Sequence, residues 1–342
     1  MSKFLVINVN DSRWNDIVFN ALQYDFYHTQ SYHLLDKENE AVLFVYYFDD
    51  NFIAIPLVIR SIPGSDLKDC TSVYGYCGPV SNIKFNDLPS EAIKQFNKRL
   101  NSFFMERKIV SSFSRLHPMF PFQEIIFKDY GEVIPINKTV AINLNQSIDL
   151  QRSEYNKTTK LHINRALKNG ILIRKTSAFE DLESFIAIYY KNMQRVNANP
   201  SYYFSLDYFR NLINATDFNS VLFVAEADDE IIAGGIFTIC NGIMQYHLGG
   251  TKNEMLKFSP LKLLIDSARI YANEMGCNYC HLGGGYSGAN DSLLKFKAGF
   301  SKDFFEFKVW RKIINLHAYN ELIASKFGDK IPNADYFPLY RF

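Results

Sequence analysis

The chain has 342 residues, of which 47% are hydrophobic, 15% aromatic and 21% charged, and its formal net charge is +1. This length suggests two domains, each large enough to bury a core of its own. The near-neutral charge excludes a global attraction to nucleic acid or to a membrane, although a local basic patch remains compatible with it.

The N-terminal segment and the cysteines bear on the compartment. The segment MSKFLVINVNDSRW contains no long apolar core followed by small residues, so no secretory signal is visible, and no apolar run approaches the ~20 residues of a spanning helix. The five cysteines are odd in number, and Cys277–Cys280 lacks the second pair that a zinc site needs. We therefore expect a cytoplasmic protein with reduced thiols and no metal site.

The first half of the chain contains mostly strand patterns. Two apolar runs predict a hairpin over Ala41–Ile59 that turns at Asp49-Asp50-Asn51. Asp69–Val80 predicts a strand that enters a Gly-Pro loop. Helical spacing marks Pro89–Lys108 as a helix, and Glu124–Leu144 returns to strand-like alternation.

This hairpin recurs in the second half at a constant offset of 179 residues. Val42–Ile59 is VLFVYYFDDNFIAIPLVI and Val221–Thr238 is VLFVAEADDEIIAGGIFT, and eight of these 18 positions are identical without a gap. The match covers both strands and the turn, so chance similarity between two hairpins is the weaker explanation. We predict an N-terminal domain over 1–145, on which 316–342 packs back, and a C-terminal domain over 146–315.

The second half alternates helices and strands. Helical spacing predicts Ser153–Asn169 and Phe179–Arg195, and the second of these ends on a cation, as the helix dipole favours. Ser259 as N-cap with Pro260 at the first helical position predicts another helix. Asp291–Ala298 predicts a last, short helix after a glycine-rich strand end.

Two groups of basic residues are candidates for binding phosphate. Seven cations lie between Arg152 and Lys175, where Glu154 is the only acid. Such a run is usually a solvated face, but in a nearly neutral protein it is also the best candidate for a phosphate-rich partner. Lys257 and Lys262 flank the helix start at Ser259, where cations oppose the dipole unless an anion binds. Two ordinary surface lysines are the alternative.

Two His-Leu-Gly-Gly segments, beginning at His247 and His281, each follow a predicted strand. Glycine-rich strand ends at one sheet edge let a ligand touch the backbone. Gly283, Gly285 and Gly288 also fit the GxGxxG pattern of dinucleotide sites, but the following helix is very short and close to the chain's end, so we reject that interpretation. The sequence has no nucleophile elbow, HExxH or Walker A motif.

Segments spread through most of the chain occur together in one family. They are Arg165–Gly170, Met193–Arg195, Tyr202–Phe204, Tyr246–Thr251, Ser259-Pro260, His281–Gly285, Leu294–Ser301 and, in the first half, Tyr74–Pro79. In this order they resemble the FemABX peptidyltransferases and their acyltransferase relatives in the GNAT superfamily. The resemblance implies an α/β (α+β) fold of two tandem GNAT-like domains, each a mixed sheet flanked by helices.

The resemblance also implies a reaction. An aminoacyl or acyl group would pass to an amine of a cell-envelope precursor, a peptidoglycan or surface-polysaccharide intermediate. The donor would be aminoacyl-tRNA or acyl-CoA, acting as co-substrate, with no tightly bound cofactor. The seven cations between Arg152 and Lys175 favour aminoacyl-tRNA slightly, because they suit an extended phosphate backbone better than one compact cofactor. The chain departs from the family in lacking the long coiled-coil arm of members that act on lipid-linked peptidoglycan and the usual acetyl-CoA loop of simple GNAT enzymes.

Partners follow from the same resemblance. We expect a monomer that binds a cell-envelope precursor and, as one candidate donor, tRNA, but not DNA. It would have no transmembrane segment, and peripheral contact with a membrane remains open. A degenerate transferase that only holds a nucleotide-sugar or a partner protein is the alternative function.

In the resembling family a Phe-Lys pair stabilises the oxyanion that forms when an amine attacks an ester or thioester, which points to Phe296 and Lys297 as catalytic residues. Without the family, Lys297 is simply a lysine on a short amphipathic segment. The candidates for substrate binding are Arg195, Tyr203, Tyr246, His247, Gly284 and Gly285. The candidates for donor binding are Lys257, Lys262 and Arg165.

Overall fold

The computed structural model describes residues 3–286 and 291–342. In chain order its elements are β1 (Lys3–Asn8), α1 (Arg13–Phe19), α2 (Gln30–His33), β2 (Glu40–Phe48), β3 (Asn51–Ser61), β4 (Lys68–Thr71), β5 (Val80–Ser81), α3 (Ser90–Glu106), β6 (Ile109–Arg115), β7 (Glu132–Asn143), α4 (Ile148–Ser153), α5 (Lys157–Lys168), β8 (Leu172–Thr176), α6 (Phe179–Arg195), α7 (Leu206–Ile213), β9 (Asn219–Ala227), β10 (Glu230–Cys240), β11 (Ile243–Thr251), α8 (Pro260–Glu274), β12 (Tyr279–Gly283), α9 (Ser292–Lys297), β13 (Asp303–Ile313) and α10 (Leu316–Phe327). Within the described residues, none of these helices is both long and apolar enough to cross a bilayer.

The chain forms two compact units. The first unit comprises residues 1–136 and 306–342, and the second unit comprises residues 137–305. The boundaries proposed from the sequence, after residues 145 and 315, lie a little further along the chain, and the assignment of functional domains stays a prediction.

The repeated hairpin is confirmed to the residue. β2–β3 and β9–β10 are both antiparallel pairs, and every strand bound of the second hairpin lies 179 residues after its counterpart in the first. Asp49 and Asp228, equivalent in the repeat, both have left-handed backbones, with φ of 47° and 50°. Aspartate tolerates that conformation better than most residues, which accounts for the shared Asp-Asp turn.

The two units also share one topology. The strand order of the first unit is β1-β2-β3-β4-β6-β13, with β5 beside β3, and that of the second unit is β8-β9-β10-β11-β12-β7. Each order contains one parallel pair, β4 with β6 and β11 with β12, and a long helix, α3 or α8, provides the crossover between its strands. The predicted mixed α/β fold of two similarly built domains is therefore confirmed.

Two adjacent glycines position the helices of the second unit. A Cβ on Gly234 would lie 2.5 Å from the ring of Phe185 on α6, whereas a Cβ on Gly235 would lie 3.3 Å from Leu264 on α8. Successive residues of a strand point to opposite faces of the sheet. Helices α6 and α8 therefore pack on opposite faces, and the missing side chains let them approach closely.

Three sequence predictions of element limits need correction. Asp69–Val80 is a strand followed by a loop, as predicted, but the strand, β4, already ends at Thr71, and a second short strand, β5, begins at Val80. Glu124–Leu144 begins as a 3₁₀ turn, and only its second part is β7. The predicted helix Ser153–Asn169 starts later than expected: Ser153 is the last residue of α4, and α5 begins at Lys157 because the side chain of Asn156 accepts the Thr159 N–H at 2.7 Å.

Candidate active site

Strands β11 and β12 separate where the two His-Leu-Gly-Gly segments begin. Among the described residues, their parallel ladder covers only Ile243–Gln245 opposite Tyr279–His281. Just beyond it, His247 is an extra residue in the pairing of β11 with β10, and Leu282 is one in the pairing of β12 with β7. Such bulges bend strands and often lie beside active sites. The glycine-rich ends therefore no longer pair with each other; Gly249 and Gly285 are half-buried there, whereas Gly284 is buried.

Lys297 reaches the glycine-rich end of β12 from α9. Its Nζ donates a hydrogen bond of 2.7 Å to the carbonyl oxygen of Gly284, and only 8% of the residue is exposed. Burial lowers the pKa of Lys297 from 10.5 to about 8, against a smaller opposing effect of the Asp291 charge. Within the described part of the chain this ammonium forms no ion pair. It is a buried cation whose main partner is a backbone oxygen.

Asp291 fixes Lys297 relative to the glycine loop. One of its carboxylate oxygens accepts the N–H of Leu294 at 2.9 Å and so caps α9, while the other accepts the N–H of Tyr286 at 2.9 Å. Burial favours the neutral carboxyl, but these backbone donors outweigh it and lower the pKa of Asp291. The short helix predicted over Asp291–Ala298 is confirmed as α9, and Asp291 is its N-cap.

A cluster of tyrosine rings connects the segment after α6 to the loop that follows β12. The ring of Tyr203 stacks on Tyr190 at 6.1 Å, and the ring of its neighbour Tyr202 lies 5.8 Å from that of Tyr286. Tyr203 is 39% exposed. Arg195, at the end of α6, is exposed and donates a hydrogen bond to Asn192. Both predicted acceptor residues are thus accessible, and the segment that follows Arg195 contacts the loop of Lys297.

Tyr246 and His247 are less accessible than the sequence suggested for ligand contacts. Nε2 of His247 lies 2.9 Å from the hydroxyl of Tyr208, and burial lowers the pKa of this histidine to about 3, so it is neutral at pH 7. The hydroxyl of Tyr246 fills the space over Gly249, where a Cβ would lie 2.0 Å from it. Their side chains fix the bulge of β11.

The start of α8 contains a second buried lysine. Lys262 is 9% exposed, its Nζ donates to Oγ1 of Thr159 at 3.4 Å, and it lies 5.8 Å from the centre of the Phe296 ring. Burial lowers its pKa, and no carboxylate pairs with it among the residues described. The alternative of an ordinary surface lysine is wrong for Lys262, because it is buried beside the Phe-Lys pair.

The other residues at the start of α8 are arranged differently from the N-cap prediction. Ser259 has φ of 54° and its side chain caps nothing; instead its Oγ lies 3.3 Å from Nδ1 of His162. Burial, together with the positive charges of Lys262 and Arg165, lowers the pKa of His162. Arg165 is therefore close to this group. Lys257 is exposed and lies over the ring of Phe258.

The basic run from Arg152 to Lys175 carries less unpaired positive charge in the structure than its sequence suggests. Arg152 pairs with Asp266, and Arg174 pairs with both Asp181 and Glu226. The sequence missed these pairs because the three acids lie far along the chain or on other elements. The run therefore cannot act as seven free charges.

Several site residues had no usable sequence signal. Tyr286, Tyr208, His162 and Thr159 take part only through contacts with distant elements, whereas Asp291 before Ser292 was recognisable as a helix start. Gly288, part of the rejected GxGxxG pattern, lies outside the described residues. All five cysteines are free and buried, and in the described ranges no group of three or more His, Cys, Asp or Glu residues could hold a metal ion.

Comparison with known proteins agrees with this geometry. A family model described as an acetyltransferase (GNAT) domain matches residues 153–297. The crystal structure of FemX aligns with a TM-score of 0.73 at 13% identity, covering 93% of this chain and 99% of that chain. No curated protein sequence matches the chain.

Two further solved structures share the fold. The C-terminal domain of a putative lysylphosphatidylglycerol synthetase from Agrobacterium fabrum aligns with a TM-score of 0.56 at 14% identity, covering 92% of this chain and 96% of that one. A tandem GNAT protein from the clavulanic acid biosynthesis pathway aligns with a TM-score of 0.53 at 9% identity, covering 91% and 98%. The chain is therefore an acyltransferase that contains a GNAT domain and has the tandem fold seen in FemX, as the resemblance implied.

Proposed function

We propose that this protein transfers an aminoacyl or acyl group to an amine of a cell-envelope precursor. The observation that carries the proposal is Lys297, a buried ammonium without a carboxylate partner in the described ranges, held against the glycine-rich end of β12. A buried cation costs stability, and such groups cluster at functional sites; this one lies inside the matched acyltransferase domain.

The reaction needs little more than alignment and charge stabilisation. The acceptor nitrogen forms a bond to the acyl carbon, the ester C–O or thioester C–S bond breaks, and the proton leaves nitrogen for the departing oxygen or sulfur. Lys297 would stabilise the oxyanion in the tetrahedral intermediate. Phe296 is half-buried, and its ring lies 5.8 Å from Nζ of Lys262, so it would help to exclude water from that second buried lysine.

For the acceptor we favour an anionic, phosphate-bearing molecule. Arg195 offers a planar guanidinium on the protein surface, and Tyr203 offers an exposed ring that can pack against a sugar or a base. FemX and a putative lysylphosphatidylglycerol synthetase share the fold, which supports a cell-envelope substrate class without identifying the molecule.

We favour the start of α8 as the place where a phosphate group of the donor binds. This helix has 15 residues and no acid in its first turn, and Lys262 lies buried there with Arg165 nearby. Aminoacyl-tRNA and acyl-CoA both carry phosphates in addition to an activated carbonyl. With Arg152 and Arg174 paired to acids, the basic run favours tRNA over acyl-CoA less than its sequence does.

Side-by-side transfer assays test the proposal. Purified protein is offered labelled aminoacyl-tRNA or acyl-CoA with cell-envelope precursors, with and without ribonuclease, and Lys297→Ala is compared with Lys295→Ala. Lys295 lies on the same helix but is exposed. We expect a loss on the order of a hundredfold for Lys297→Ala, as when one oxyanion donor is removed, and little change for Lys295→Ala. Equal rates for the two variants would remove Lys297 from catalysis.

A further inference from the structure

One face of α5 has a composition that the proposed function uses only at Arg165. Lys157, Leu161, Arg165 and Lys168 are spaced so that they share one side of the helix, and all four are exposed. Thr159, Ile163 and Ala166 on the opposite side are buried. We call the four exposed residues the outer face of α5.

The outer face combines free positive charge with bare hydrocarbon. Leu161 is 64% exposed, and two leucines beside the face, Leu167 and Leu172, are 54% and 68% exposed. Lys157, Arg165 and Lys168 form no ion pair within the described residues. The sequence has no aspartate or glutamate from residue 155 to residue 179. Exposed leucines among unpaired cations are unusual on a surface that contacts only water.

We propose that the outer face of α5 docks on an anionic lipid bilayer. Lysine and arginine side chains are attracted to acidic headgroups, and leucine side chains gain free energy by entering the boundary between headgroups and acyl chains. RNA fits less well, because leucine neither stacks on bases as aromatic rings do nor contacts phosphate. The positive charge of the face complements any anionic surface, and its leucines favour a lipid surface over RNA because only the bilayer can bury them.

Docking in this way would bring the candidate active site close to the bilayer. The inner side of α5 carries Thr159, whose hydroxyl accepts the hydrogen bond of Lys262. A helix with its side chains is ~10 Å thick. Lys262 would then lie about one helix diameter from the lipid headgroups, a suitable distance for a lipid-linked substrate. The docking itself does not depend on the proposed reaction.

Vesicle co-sedimentation without any substrate tests the inference. The full chain is mixed with vesicles of phosphatidylcholine alone, or of phosphatidylcholine with phosphatidylglycerol, at low and at physiological ionic strength. We expect binding only to the anionic vesicles, with weaker binding at the higher salt. Lys157→Gln with Lys168→Gln should reduce the binding constant about fivefold per charge, on the order of thirtyfold together. Leu161→Ser with Leu167→Ser should reduce it by at least about tenfold.

The matched control removes two leucines elsewhere. Leu22 and Leu316 in the first unit are 51% and 61% exposed, and their double replacement by serine should leave vesicle binding unchanged. Circular dichroism confirms that each variant is folded. Three results would overturn the docking surface: no sedimentation of the wild type, equal sedimentation of the α5 variants, or tRNA binding that the lysine variant loses while vesicles remain unbound. Because no acyl transfer is measured, failure of the proposed reaction would not affect the outcome.

Discussion

Replacing Lys297 by methionine should stabilise the protein while it removes activity. Methionine has nearly the same length and volume as lysine without its charge, so packing around α9 should persist. At pH 7 the folded state keeps Lys297 protonated although burial has lowered its pKa from 10.5 to about 8. Each pKa unit corresponds to about 1.4 kcal/mol, so the buried charge costs about 3 kcal/mol. Losing the hydrogen bond to Gly284 costs about 1 kcal/mol. The net gain is about 2 kcal/mol.

The pH dependence separates this explanation from a general packing effect. Because the folded-state pKa is below the unfolded value, the unfolded chain holds a proton that the folded chain has lost between pH 8 and pH 10.5. The wild type therefore gains stability from Lys297 as pH rises through that range. Lys297→Met has no such group, so its advantage should be full at pH 7 and should shrink towards pH 10.5.

Urea unfolding followed by circular dichroism at pH 7 and near pH 10 measures this difference. Lys295→Met is the control, because Lys295 is exposed on the same helix and its replacement should change stability by less than about 0.5 kcal/mol. A Lys297→Met variant that is no more stable than wild type at pH 7, with a difference that does not vary with pH, would refute the reasoning.

Three other predictions concern the pH profile, the acceptor and the packing of the sheet. Activity should fall as pH rises above about 8, where Lys297 loses its proton, and Lys297→Arg should move that fall to higher pH; a pH–rate profile of kcat/KM measures both. Arg195→Ala should weaken acceptor binding at least tenfold in calorimetry, whereas unchanged affinity would exclude Arg195 from the site. Gly234→Ala should destabilise the second unit by about 1–3 kcal/mol in urea unfolding, since its Cβ would lie 2.5 Å from buried Phe185. Gly235→Ala, whose nearest contact would be 3.2 Å, should destabilise it less.

Local patterns predicted the elements that local interactions determine. The hairpins were predictable because the apolar runs of β2–β3 and β9–β10 and the Asp-Asp turn are properties of consecutive residues. The start of α8 shows the limit: Pro260 occupies the first helical position as predicted, but Ser259 adopts a left-handed backbone and contacts His162 instead of capping. That contact depends on α5, a hundred residues earlier, and no pattern around Ser259 contains it.

The candidate site shows the same limit, because its contacts join segments that are distant in sequence. The family resemblance indicated Lys297, but its burial and its hydrogen bond to Gly284 arise only when α9 folds against the end of β12. The hydrogen bond from Tyr286 to Asp291 and the approach of Tyr202 to Tyr286 likewise join segments that the sequence separates. Sequence could therefore indicate a candidate catalytic lysine but not the environment that lowers its pKa.

The basic residues show why charge must be assigned in three dimensions before it supports a partner. In sequence, Arg152 to Lys175 form one run that favours an extended phosphate backbone. In the structure Arg152 and Arg174 pair with acids, and the cations on the outer face of α5 alternate with exposed leucine. Lys262, from outside the run, is the cation buried beside Phe296. Donor recognition should thus depend on Lys262 and resist the α5 replacements, whereas binding to an anionic bilayer should show the opposite dependence.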